Sequence, residues 1–163
     1  MIVLSAGEKV NPNVVEAELT RDELFQQVVV VGDRCPFLVA VIVLNVDAWR
    51  RFAAEKGLDP ERPNHALSRI EVLARVIPLL AALPRYAQVR AVHLTLEPWT
   101  IEGGLLTPTL KVKRDVVQRK FASEIAAMYA EPTPRSAFAI GMNENVELLI
   151  SDLRKQEKAK YEE

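Results

Sequence analysis

Apolar positions in this chain recur with two periods, every second residue and every third or fourth, and the switches between them mark out the elements. Ile2 to Ser5 is a short β-type run, broken at Gly7 and followed by Glu8, Lys9 and Val10, which predicts a small hairpin. Asn11 and Pro12 suit the cap and first position of a helix whose apolar face is Val14, Val15 and Leu19. Thr20 and Glu23 have capping-box spacing and predict a further short turn around Leu24 and Phe25. The β-branched run Gln26 to Val31, the turn Gly32 to Pro36 and the apolar run Phe37 to Leu44 then predict an antiparallel pair of strands. Their near-continuous apolarity implies that helices cover both faces.

Asn45 to Asp47 cap a helix from Ala48 to Lys56 that Gly57 ends. Pro60 and Pro63 mark a loop. His65 to Leu83 carries Leu67, Ile70, Leu73, Ala74, Ile77, Leu80 and Ala81 at helical spacing; Pro78 should bend or divide this helix and Pro84 end it. Val89 to Glu97 alternates, with Val92, Leu94 and Leu96 on one side and His93, Thr95 and Glu97 on the other, as in a half-buried strand. Lys113 to Tyr129 places Val116, Val117, Phe121, Ile125 and Met128 on one helical stripe. Glu131 to Arg135 reads as a linker and Ser136 to Gly141 as weakly apolar. Asn143 caps a predicted last helix with Val146, Leu149, Ile150 and Leu153 at helical spacing, and charge dominates beyond Arg154; a docking helix is expected, with a mobile tail as the alternative. The expected class is α+β, a small, mainly antiparallel sheet flanked by helices.

At 163 residues and 49% apolar, the chain has the size of one domain with a real core. A net charge of −1 and a pI near 6.2 argue against a generally basic nucleic-acid binder. The single cysteine, Cys35, rules out an internal disulfide and any multi-cysteine zinc site, and its neighbours Pro36 and Phe37 point to a plain structural thiol. It fits a reducing cytosol, so a cytoplasmic location is expected. No apolar run approaches the roughly 20 residues of a membrane span, and no basic-then-apolar leader opens the chain. His65 and His93 lack partners at ligand spacing and read as structural; no metal site is expected in the chain.

The chemistry gathers in one stretch, Gly103 to Arg114. Two glycines free the backbone, Pro108 pins one φ angle, and Lys111, Lys113 and Arg114 follow within four residues. A strand-like run precedes the stretch and a helix-like run follows, so a lysine is presented on a constrained loop between two rigid elements. An ammonium held this way suits an anionic partner such as a phosphate or carboxylate. Cations at a helix start also oppose its dipole, a local rule broken without visible compensation.

Leu106-Thr107-Pro108-Thr109-Leu110-Lys111-Val112-Lys113-Arg114 resembles the catalytic-lysine motif of AMP-forming long-chain fatty acyl-CoA synthetases, members of the adenylate-forming superfamily. Gly7-Glu8-Lys9-Val10-Asn11-Pro12-Asn13-Val14-Val15-Glu16 resembles the segment after the interdomain hinge of the same enzymes, in the same order. Many superfamily members carry glycine before the lysine; Leu110 stands there in this chain, which fits the long-chain branch.

The resemblance implies the small C-terminal lid of such an enzyme over residues 1–130, with residues 131–163 a linker and helical extension. It places Lys111 on the lysine that bridges the carboxylate and the α-phosphate. Thr107 and Thr109 shape the loop, Lys113 and Arg114 lie where nucleotide phosphates are held, and Gly7 and Lys9 sit beside the CoA arm. Lys9 and Glu16 read equally well as surface charges. ATP and CoA are the implied substrates, with Mg2+ bound mainly by a large N-terminal AMP-binding domain, the implied partner, whose phosphate loop, ribose aspartate and acyl pocket this sequence lacks. The chain is then expected to be an excised domain or truncated product without turnover alone, and the resemblance leaves room for peripheral membrane contact by the full enzyme. A standalone binding or scaffold domain of the same fold, or the lid of another adenylate-forming ligase that loads a carrier protein, stands as the alternative.

Overall fold

The computed structural model describes residues 1–130 together with Ser151, Lys155 and Ala159, each helical and exposed. The predicted linker and the apolar positions of the predicted last helix lie outside the described residues. The fold grows from one strand. In β4 (Leu38–Leu44) all seven residues are buried. Strand geometry sends alternate side chains to opposite faces, so Leu38, Ala40, Ile42 and Leu44 enter one core while Val39, Val41 and Val43 enter another. A residue of this kind contributes about 1.5–3 kcal/mol when fully buried.

β3 (Phe25–Val31) pairs antiparallel with β4, Val28 opposite Ile42, with a register irregularity between Phe25 and Gln27. β5 (Val89–Thr95) lies on the other side of β4 and runs parallel to it, Ile42 opposite Leu94. A parallel neighbour needs a crossover, and α2 (Val46–Lys56) with α3 (Ala66–Leu79) supplies it. The predicted covering of both faces holds: α1 (Pro12–Thr20), α2 and α3 close the first core, and α4 (Arg114–Lys120) with α5 (Ala122–Ala130) close the second.

Local chemistry explains most boundaries. Asn11 and Asn45 accept hydrogen bonds from Asn13 N and Ala48 N at the starts of α1 and α2. Gly57, at φ 67°, closes α2 in the left-handed conformation. Trp49 is fully buried and donates to Pro60 O at 2.9 Å, which holds the loop down. Asn64 bonds both the amide and the carbonyl of Leu94, occupying part of the free edge of β5.

Four sequence expectations change. Thr20 ends α1 rather than capping the turn that follows: its hydroxyl bonds back to Glu16 O, and the predicted turn before Phe25 forms on Asp22, whose Oδ1 accepts from Leu24 N and whose carbonyl accepts from Phe25 N. α3 stops at Leu79 because Pro78 falls in its last turn, where Leu80 N already bonds to Val76 O and Ile77 O. β5 ends at Thr95. The helix predicted from Lys113 to Tyr129 is interrupted at Phe121, whose buried ring packs near His93 (5.5 Å between centroids) and Trp99 (6.4 Å).

Candidate functional site

Residues 105–113 form a tight β-hairpin. Leu106 and Val112 pair as an antiparallel bridge. Thr107 N donates to Lys111 O, Leu110 N to Thr107 O and Lys113 N to Leu105 O, each at 2.8 Å. The Thr107 hydroxyl adds two more links, accepting from Lys111 N at 3.0 Å and lying 3.1 Å from the Thr109 hydroxyl. Thr107, Pro108 and Thr109 make the turn, and Leu110 follows with φ 65°. A type I turn followed by one left-handed residue is the standard three-residue hairpin loop. At this position a β-carbon costs about 1–2 kcal/mol, because L side chains are crowded in the left-handed region.

The hairpin stands on a buried base. Gly103 N donates to Thr100 Oγ1 at 2.9 Å, Gly104 turns at φ 78°, and the amides of Leu105 and Leu106 both reach Thr100 O. Trp99 is clasped by Gln27 through two hydrogen bonds, to its carbonyl at 3.1 Å and from its amide at 2.8 Å. Leu105 and Leu106 pack in the core with Val117 and Phe121. Lys111 therefore leaves a backbone fixed on both sides. Its side chain is exposed, and no carboxylate among the described residues pairs with it. Lys113 is exposed as well.

Arg114 behaves differently. Its Nη1 donates to Glu16 Oε2 and its Nη2 to Glu16 Oε1, both at 2.7 Å, and it also reaches Val30 O at 3.2 Å and Asn13 Oδ1 at 3.3 Å. Glu16 is not a simple surface charge: its side chain is 14% exposed and it also accepts from Val30 N at 2.8 Å. This bidentate pair joins the final residue of the first motif to the final residue of the second, 98 positions apart. Sequence reading missed the pair. The available signal was that each motif closes on a charge of opposite sign.

Gly7 turns the β1–β2 hairpin (Ile2–Val3 with Lys9–Val10) at φ 97°. Nothing lies within 4 Å of a β-carbon built there, so within this domain its conformation, not crowding, calls for glycine. Lys9 is exposed on β2. This hairpin is tied to the β3–β4 turn through Val3 N to Asp33 Oδ1, Arg34 N to Val3 O and Ser5 N to Cys35 O. Tyr129 secures the same turn with a 2.8 Å bond to Phe37 O; burial, then its hydrogen bond with Cys35, push its phenol above the ordinary value. His65 caps α3 by accepting from Leu67 N. His93 is half-buried, and burial lowers its pKa, opposed by Glu124 and assisted by Arg69. Among the described residues no group of three or more His, Cys, Asp or Glu is placed to hold a metal ion, and no helix is long and apolar enough to cross a membrane.

The α+β architecture and the sequence both match the C-terminal domain of adenylate-forming enzymes. Residues 1–133 match the family described as the AMP-binding enzyme C-terminal domain, and the chain belongs to that family. It is 34% identical over 135 residues to long chain acyl-CoA synthetase 7, peroxisomal, of Arabidopsis thaliana, covering 78% of this chain and 19% of that protein. Over 134 residues it is 32% identical to a chloroplastic long-chain-fatty-acid–[acyl-carrier-protein] ligase of the same plant, covering 79% of this chain and 16% of the relative. The solved adenylation domain of a carboxylate reductase from Mycobacterium chelonae superposes with a TM-score of 0.63 at 28% identity, over 80% of this chain and 19% of that one. The chain thus spans less than a fifth of the length of these relatives.

Proposed function

We propose that this chain is the lid of a long-chain fatty acid–CoA ligase, which joins a fatty acid to ATP, expels pyrophosphate, and passes the acyl group to CoA with release of AMP. Residues 1–130 are the lid and residues 131–163 a linker and helical extension. The observation that carries the reading is the Lys111 ammonium, exposed on a hairpin held by backbone and threonine hydrogen bonds. In adenylation a carboxylate approaches the α-phosphate, and two anions converge. A cation held between them offsets their repulsion most where charge develops, in the transition state. Thr107 and Thr109 fix the direction of that cation, and Lys113 is the second cation available to nucleotide phosphates.

Arg114 opens α4 directly after the hairpin and acts through Glu16, holding the adenylation hairpin against α1. Gly7 and Lys9 then form the face offered to the CoA arm when the lid rotates between its two poses. ATP and Mg2+ are bound mainly by the large domain, which is the lid's partner. Relatives named peroxisomal and chloroplastic argue against assuming a cytoplasmic location.

The test is Lys111→Ala in the protein that carries the large domain. Pyrophosphate exchange should fall by about 100-fold or more, the scale of losing one preorganised charge. Thioester formation from preformed acyl-adenylate should change by only a few-fold. Surviving exchange would remove Lys111 from this role. The relative named as an acyl-carrier-protein ligase favours a second reading, in which the acceptor is a phosphopantetheinylated carrier. Comparing free CoA with such a carrier as acceptor separates the two.

A further inference from the structure

Leu110 is the one residue of the hairpin that its own fold does not explain. The loop places it in the left-handed region at φ 65°, where glycine or asparagine is the ordinary occupant. A strained residue persists where the surrounding structure holds it, as the hairpin's hydrogen bonds do at Leu110. The leucine side chain adds no packing of its own: the residue is 68% exposed, the most solvent-accessible large apolar residue among those described after Met1. The neighbouring Leu105 and Leu106 are buried, so the hairpin has a core in which an apolar group can be placed, and Leu110 lies outside it. It is adjacent to Lys111, at the tip that must enter the nucleotide site. The relatives extend over more than four-fifths of their length beyond the matched segment, so a large body of protein is available to receive that tip.

We infer that Leu110 is a docking residue: when Lys111 is delivered for adenylation, the Leu110 side chain packs into an apolar recess of the large domain and seats the hairpin. This rests on the lid reading given above. Leu110 touches neither reacting group; it positions Lys111. Strain and exposure are retained in the open lid because the contact is made only in the adenylation pose, so the binding energy is realised where it raises turnover.

The inference is tested with Leu110→Gly, Leu110→Ala and Leu110→Met in the protein that carries the large domain. Leu110→Gly removes both the strain and the contact, Leu110→Ala keeps the β-carbon but loses the contact, and Leu110→Met keeps apolar reach. Pyrophosphate exchange should fall about tenfold in kcat for both Gly and Ala, with KM for ATP and fatty acid within twofold, and Met should restore it to within threefold. Thermal unfolding of the lid should move up in Leu110→Gly, so that stability and activity change in opposite directions. Thioester formation from preformed adenylate should be unaffected in all three.

Full exchange in Leu110→Gly overturns the inference. So does a loss in Gly that is absent in Ala, since loop stiffness and not contact would then be responsible. A KM for fatty acid that rises with acyl chain length in the Ala variant would assign the contact to substrate and likewise overturn it. If Lys111→Ala abolishes exchange while Leu110→Gly is silent, only this inference fails; if Lys111→Ala is itself silent, the lid reading fails first.

Discussion

Glu16 accepts three hydrogen bonds at once, two from Arg114 and one from Val30 N, and both partner residues are held by other elements. Removing one member of such a pair strands the other, which costs more than the pair contributes. Glu16→Ala should therefore destabilise the domain by about 2 kcal/mol, a value discounted from the fully buried case because Arg114 is 33% exposed. Urea unfolding measures it, and Arg114→Lys should lose less because it leaves a cation in reach. Asp22 offers a pH-dependent counterpart. Burial raises its pKa, but the two bonds from Arg75 at 2.6 and 2.7 Å, the Leu24 amide and the Arg75 charge outweigh that and hold the carboxyl below its ordinary value. A depressed carboxyl stabilises the fold above its unfolded pKa of about 3.9 and loses that contribution as pH falls through the folded value. The unfolding midpoint should drop as pH is lowered below about 4, and Asp22→Asn should flatten that dependence.

At the scale of elements, β4 is the member both cores share. Ile42→Ala should cost about 2–5 kcal/mol, as a cavity opens opposite Val28 and Leu94 where neither neighbouring strand can collapse inward. Thermal or chemical unfolding reads it directly. This strand was legible in the sequence because seven consecutive apolar residues have no solvent-facing solution. Its direction relative to β5 was not: periodicity reports burial, whereas parallel pairing is set by the crossover through α2 and α3. The helix after the key loop shows the same limit. Its stripe is correct, since Val117, Phe121 and Met128 are buried, but the interruption at Phe121 answers to the rings of His93 and Trp99, which lie on other elements. Thr20 and Glu23 had capping spacing, yet the Thr20 hydroxyl found the carbonyl of Glu16 first.

For the molecule as a whole, the two described hydrophobic clusters lie on opposite faces of β4. On the proposed lid reading, the isolated chain should show no pyrophosphate exchange, since it brings one cation to a site whose other walls belong to the partner domain.

What followed from composition and spacing alone was the class of fold, the positions of most elements and the loop that bears Lys111, because these depend on local periodicity, capping and turn chemistry. Three-dimensional packing decided the rest. Glu16 and Arg114 meet across 98 residues, and Gln27 clasps Trp99 across 72. Pairings of that kind carry no local signature; they exist only once the chain has brought distant segments within hydrogen-bonding distance.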